Sequence, residues 1–155
     1  MRNFGNAINK YRRARWFYLH HMKPIAWLYR SWIYLIHNSF IPYQAQIGKG
    51  TIFGYKGIGV VIHSLTKIGN DCVIGTNVTI GGGASNHRRT IEELDEFRGI
   101  VPTICNRVVI GSGAKILGRI VVADDAIIGA NAVVIDDVPP GAVVGGYLPE
   151  LYAFV

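Results

Sequence analysis

The sequence predicts a solenoid of short parallel strands fronted by a helical segment, and three observations predict it. An isoleucine or valine recurs every sixth residue, at Ile62, Ile68, Ile74 and Ile80 and again at Ile104, Ile110, Ile116, Val122, Ile128 and Val134. A helix repeats every 3.6 residues and a strand every two, so neither keeps this register; a hexapeptide repeat does. The residue after the aliphatic is often glycine (Gly69, Gly75, Gly81, Gly111, Gly129), which suits a tight corner. The fourth residue after it is small or β-branched (Cys72, Val78, Val108, Ala114, Ala126, Ala132), so both sets fill a narrow core in layers. Finally, 50% of the residues are hydrophobic and only 17% charged, as expected where stacked coils cover one another.

Residues 1–38 read as a basic, aromatic helical segment. Pro24 divides it into two helices. The second shows Ile25, Leu28, Tyr29, Trp32, Ile33 and Ile36 at i, i+3, i+4 spacing, one apolar face. The first carries Lys10, Arg12, Arg13 and Arg15, and all three tryptophans (Trp16, Trp27, Trp32) fall in this segment. His20, His21, Lys23 and Arg30 interrupt the apolar stretch, so it reads neither as a membrane span nor as a signal peptide. Two readings stay open. The apolar face covers the open end of the solenoid, or the pair lies on an anionic membrane surface.

Residues 39–155 read as the solenoid, in one domain with the helices, a size that buries roughly 70% of the unfolded surface. Ile80 and Ile104 are 24 residues apart, a multiple of six. The segment 83–103 between them keeps no hexad pattern and carries Glu92, Glu93, Asp95 and Glu96, so it is expected to be an excursion thrust out from the coils. Within it, Thr90-Ile-Glu-Glu93 fits a capping box opening a short helix through Phe97.

Charge is divided along the chain. Residues 1–70 hold ten Lys and Arg and no acid, whereas residues 71–155 hold six Lys and Arg and all ten acids, giving +10 and −4. The basic half calls for an acidic partner. Nucleic acid is disfavoured, because there is no helix-turn-helix or RNA-stacking motif. Cys72 and Cys105 occupy positions that the repeat makes small and read as buried fillers in a reducing compartment. With no histidine at ligand spacing they make no zinc site, and no metal is expected.

From Ile47 onward, over about 100 residues, the chain resembles the left-handed β-helix acyltransferases of the hexapeptide-repeat family, nearest the serine acetyltransferase-like branch. The segments that carry the resemblance are Gly57-Ile-Gly-Val-Val-Ile-His63, Ile68-Gly-Asn-Asp, Asn77-Val-Thr-Ile-Gly-Gly82, Val109-Ile-Gly-Ser-Gly-Ala-Lys-Ile-Leu-Gly118, Ile128-Gly-Ala-Asn-Ala-Val-Val134 and Asp137-Val-Pro-Pro140. The resemblance implies a mainly β fold: a left-handed parallel β-helix of three hexads per coil, a homotrimer, and acetyl-CoA held between neighbouring subunits as co-substrate. It also implies that Gly82, Ala114 and Lys115 line the CoA channel, the first two through backbone groups and the lysine toward phosphate.

Acetyl transfer to a hydroxyl needs a base for the proton and donors for the developing oxyanion. Of the five histidines, His20, His21 and His37 fall in the helical segment, leaving His63 and His87. His63 follows Ile62, at the place where the next three hexads put Gly69, Gly75 and Gly81. With coils stacking every 18 residues, Gly81 lies above it, and its missing side chain is expected to leave room beside the imidazole. His87 opens the excursion in Gly81-Gly-Gly-Ala-Ser-Asn-His87, beside Arg88 and Arg89, and reads equally as a catalytic group or as part of a solvated basic patch.

The pattern departs from serine acetyltransferases in places. Their Asp-His pair falls at Gly54-Tyr55, and their Arg-His pair, before the proline matching Pro102, falls at Ile100-Val101. Their long N-terminal helical domain shrinks to about forty residues, and Gly145-Gly-Tyr-Leu-Pro149 replaces the usual Gly-x-Pro-Ala ending. The reading is therefore a CoA-dependent O-acetyltransferase acting on a sugar or surface-polysaccharide precursor, with His63 as base. The alternatives are serine O-acetylation for cysteine synthesis and a non-catalytic scaffold. The expected location is cytoplasmic, at most peripheral on the inner membrane face.

Overall fold

The computed structural model describes residues 6–82, 101–145 and 151–152. Two helices, α1 (Ala7–Leu19) and α2 (Lys23–His37), precede the coils. His21, at φ 61°, makes the sharp turn between them, and Pro24 sits in the first turn of α2, where its missing N–H costs nothing. Asn38, in the left-handed conformation, ends α2.

The strands form three sheets. One contains β1 (Gln46–Ile47), β4 (Lys67–Ile68), β7 (Thr103–Ile104) and β10 (Val121–Val122). A second contains β2 (Ile52–Phe53), β5 (Val73–Ile74), β8 (Val109–Ile110), β11 (Ile127–Ile128), β13 (Val143–Val144) and β14 (Leu151–Tyr152). The third contains β3 (Val61–Ile62), β6 (Thr79–Gly81), β9 (Lys115–Leu117) and β12 (Val133–Val134). All pairings are parallel except β13 with β14, so successive strands visit the three faces of a prism in turn. All ten of the sixth-residue aliphatics named above are buried, as are Cys72, Val78, Val108, Ala114, Ala126 and Ala132. The period of six is thus the period of the faces.

The register pairs Ile62 with Ile80 and Ile80 with Ile116, so the excursion interrupts an otherwise 18-residue coil between β6 and β7. Thr103, read from sequence as the last excursion residue, belongs to β7, paired with Lys67 and Val121. The first coil also carries an insertion, the 3-10 turn Gly54–Gly57, with Tyr55 and Lys56 at φ 45° and 64°.

The expected reason for the glycines needs correction. The residues with positive φ sit three places after the aliphatic, at Asp71, Asn77, Arg107, Gly113, Asp125 and Asn131. The glycine directly after the aliphatic is instead a close-approach site. A Cβ on Gly69 would stand 2.5 Å from the Cys105 carbonyl oxygen, and one on Gly75 or Gly111 2.5 Å from the amide nitrogen of Ser112 or Ala130 in the next coil.

Helix α1 covers the open end of the prism, as one of the two readings of this segment proposed. Its side chains serve carbonyls that have no further strand to meet. Asn6 Nδ2 donates to the Phe53 oxygen at 3.0 Å, the Tyr11 hydroxyl to Ala45 at 2.6 Å, and Arg15 to Tyr43 and Ala45 at 3.0 and 2.9 Å. The face of α2 that packs overlaps the expected stripe only at Ile33, which is buried, and Tyr29, which is half-buried. Ala26, Ile33 and His37 are buried, whereas Ile25, Leu28, Trp32 and Ile36 are exposed.

Candidate functional site

His63 stands at the vertex where β3 ends and the chain turns toward β4. Its backbone N–H donates to the Ile80 oxygen at 2.9 Å, which fixes it one coil below Gly81. The side chain is half-buried at the prism's edge. The expected room is present: a Cβ on Gly81 would meet nothing within 4 Å, unlike those on Gly69, Gly75 and Gly111. Above Gly81 in the same column comes Leu117, its register partner. Gly118, at φ 94° and buried, donates its N–H to the Gly81 oxygen at 3.0 Å. The opening beside His63 therefore lies at the level of Gly81, one coil above the imidazole.

The imidazole is held by a backbone group. The Leu65 N–H donates to His63 Nδ1 at 3.2 Å. A nitrogen that accepts cannot also carry the proton, so the neutral ring has its hydrogen on Nε2. As placed, His63 offers Nε2–H as a hydrogen-bond donor. To act as a base through Nε2 it would need the other tautomer and would have to release the Leu65 amide.

The remaining expected residues distribute unevenly. Gly82 is exposed on the same vertex, where the excursion departs. Ala114 is wholly buried in the core, its N–H bonded to the Gly111 oxygen and its carbonyl to the Thr79 N–H. It therefore has no free backbone donor for pantetheine, and its small size serves the core. Lys115 belongs to β9, and its Nζ donates to the Asn77 oxygen at 2.8 Å. His87 and the segment 90–97 lie outside the described residues. Cys72 and Cys105 are free thiols; burial raises both above the usual thiol range, which leaves them protonated and unreactive. Among the described residues, no three His, Cys, Asp or Glu side chains gather to hold a metal ion.

Sequence reasoning missed Arg119. It follows Gly118 at this vertex, and its Nη1 is buried without a hydrogen-bond partner. A buried guanidinium nitrogen left without a partner is a charge-assisted donor in want of an acceptor. The available signal was positional: Arg119 stands three residues after Ile116, where other coils place Asp71, Asn77, Gly113, Asp125, Asn131 and one further arginine, Arg107, at positive φ.

No protein-family model matches the chain. It is 46% identical to a serine acetyltransferase of Helicobacter pylori over 103 residues, which is 66% of this chain and 53% of that one. Among solved structures, the Brucella abortus serine acetyltransferase in complex with coenzyme A aligns with a TM-score of 0.77 and 30% identity, covering 94% of this chain and 54% of that one. Soybean serine acetyltransferase complexed with serine aligns with a TM-score of 0.76 and 33% identity, over 94% and 56% of the two chains. The chain spans about half the length of the curated relatives it matches. Sequence and fold together place it among the hexapeptide-repeat left-handed β-helix acyltransferases, on the serine acetyltransferase-like branch.

Proposed function

We propose that this chain is an acetyl-CoA-dependent O-acetyltransferase whose acceptor is the hydroxyl of free serine, working as a homotrimer. The observation that carries the reading is the open vertex at His63 on a β-helix similar to enzymes solved with coenzyme A and with serine. The comparisons favour serine over the sugar or polysaccharide acceptor expected from the missing Asp-His and Arg-His pairs.

In the reaction the acceptor oxygen bonds to the acetyl carbonyl carbon, the carbon–sulfur bond breaks, and the hydroxyl proton ends on the departing CoA sulfur. The tautomer selected by Leu65 supports a donor role for His63, with Nε2–H meeting the carbonyl oxygen as negative charge builds on it. The base that receives the hydroxyl proton is then a second group. His87 is the remaining imidazole outside the helical segment. Arg119, whose buried Nη1 has no hydrogen-bond partner, would meet an anionic group of a substrate only once that nitrogen is uncovered.

Three variants separate the roles. With acetyl-CoA and serine, His63→Ala should lower kcat by about 10²–10³, the usual cost of one oxyanion donor. His63→Gln, which keeps an N–H but cannot take a proton, should recover most of that loss, and His87→Ala should lose about 10²–10⁴. Equal loss in the Ala and Gln variants returns the base role to His63, and full activity in His63→Ala removes the site. Sugar acceptors assayed in parallel decide the acceptor. Failure of the wild type to bind CoA in a calorimetric titration would leave the non-catalytic scaffold.

A further inference from the structure

We infer that the outer face of α2 docks on an anionic lipid bilayer. By helical spacing, Leu28, Trp32 and Leu35 form the centre of that face, with Trp27 and Tyr34 on one edge and Ile36 on the other. These side chains are 50% to 78% exposed, although the helix buries its opposite side against α1 and the first coil. Only Ser31 interrupts the apolar centre, and no charge lies on it. Scattered exposed hydrophobes are ordinary in a monomer, but a contiguous helix face of this kind marks an interaction surface.

Charge complementarity selects the occupant. Residues 1–70 contain no acid and ten Lys and Arg. Lys23 and Arg30 lie on the same edge of the face as Trp27 and Tyr34, at i, i+4, i+7 and i+11. There an aliphatic stem can lie along the apolar zone while the cation reaches lipid phosphate. Tryptophan and tyrosine, apolar with one polar atom, suit the headgroup boundary. Among the described residues no helix is long and apolar enough to cross a membrane. The 15 residues of α2 extend only about 22 Å against a hydrocarbon core of roughly 30 Å, so the helix lies in the interface plane. A second copy of the chain would bring like-charged faces together, which is why lipid is favoured. The inference does not depend on the acceptor or on catalysis.

The test is flotation of the whole chain with vesicles of phosphatidylcholine alone and with about a third phosphatidylglycerol, at low and moderate salt. The anionic vesicles should bind at least tenfold more protein than the neutral ones, with a blue shift of tryptophan emission and quenching by brominated acyl chains. The double variant Leu28→Ser/Leu35→Ser should lose binding while its light-scattering mass and thermal melt stay those of the wild type. Two results overturn the inference: no partition of the wild type into anionic vesicles, or a fall in mass of the double variant with vesicle binding absent throughout. The second would give the face to another copy of the chain.

Discussion

Gly75 and Gly81 occupy the same place in their hexads and should respond in opposite ways to alanine. At Gly75 the new Cβ would press on the Ser112 amide nitrogen and Cα at 2.5 and 2.8 Å, backbone atoms that cannot swing aside. The coil must shift, at about 1–3 kcal/mol for overpacking of this kind. At Gly81 the methyl enters open space, so Gly81→Ala should melt within about 1 kcal/mol of wild type while narrowing the gap beside His63 and lowering kcat/KM at least tenfold. A melt and a steady-state assay on both variants check this, and an active Gly81→Ala would show that the opening is not where the thioester lies. The sequence register made the location of this gap legible, because His63 stands where the next three hexads put Gly69, Gly75 and Gly81, and Gly81 falls one coil above it. The orientation of the imidazole was not legible. It depends on one turn amide, that of Leu65, whose direction no hexad rule prescribes.

At the scale of elements, the strands were readable and the helix faces were not. A buried aliphatic every six residues has one physical solution here, because each coil must cover the next. An apolar helix surface has two solutions, burial or docking, and in α2 the stripe divides between them: Ile33 is buried and Tyr29 half-buried, whereas Ile25, Leu28, Trp32 and Ile36 are exposed and the buried Ala26 packs beside α1. Within that contact, Lys10 Nζ and His37 Nε2 lie 3.0 Å apart and buried. Burial, then the Lys10 ammonium, then Lys56, hold the His37 imidazole below its ordinary value of 6.5. Burial also lowers Lys10, followed by the charges of Lys56 and Arg13. The folded state therefore prefers neutral His37, which accepts a hydrogen bond from Lys10. Above 6.5 this preference costs nothing; as pH falls below 6.5, the unfolded chain takes the proton first and stability is lost. The melting temperature should drop by a few degrees on acidification through that window. In His37→Gln, whose amide oxygen accepts from Lys10 without titrating, the acid branch should flatten. An unchanged acid branch in that variant would place the sensitivity elsewhere.

Across the whole molecule, the three faces of the prism differ in what they show to solvent. The outward residues of the sheet of β1, β4, β7 and β10 are Gln46, Lys67, Thr103 and Val121, and those of the sheet of β3, β6, β9 and β12 are Val61, Thr79, Lys115 and Val133. The six-stranded sheet differs. There Ile52, Val73, Val109, Ile127 and Val143 stack in register, an unbroken aliphatic column about 19 Å long at ordinary strand spacing. Ile52, Val73, Val109 and Ile127 are each more than a third exposed. This column is the face that the proposed trimer would bury, because a prism that presents one apolar face can cover it with copies of itself. It also explains why assembly was only partly legible: the outward position of each hexad is free to vary within one coil, and its meaning emerges only when four coils are aligned. A charge placed there tests it. Val109→Lys/Ile127→Lys sets two ammonium groups on adjacent rungs, where a paired face would have to bury them without partners. If the proposed trimer forms through this face, light scattering should find a trimer for the wild type and a monomer for the double variant. The thermal melt should keep a cooperative transition, since both lysines point away from the prism core, and CoA binding should weaken if the ligand lies between subunits. A double variant that remains trimeric would move the subunit contact to another face of the prism.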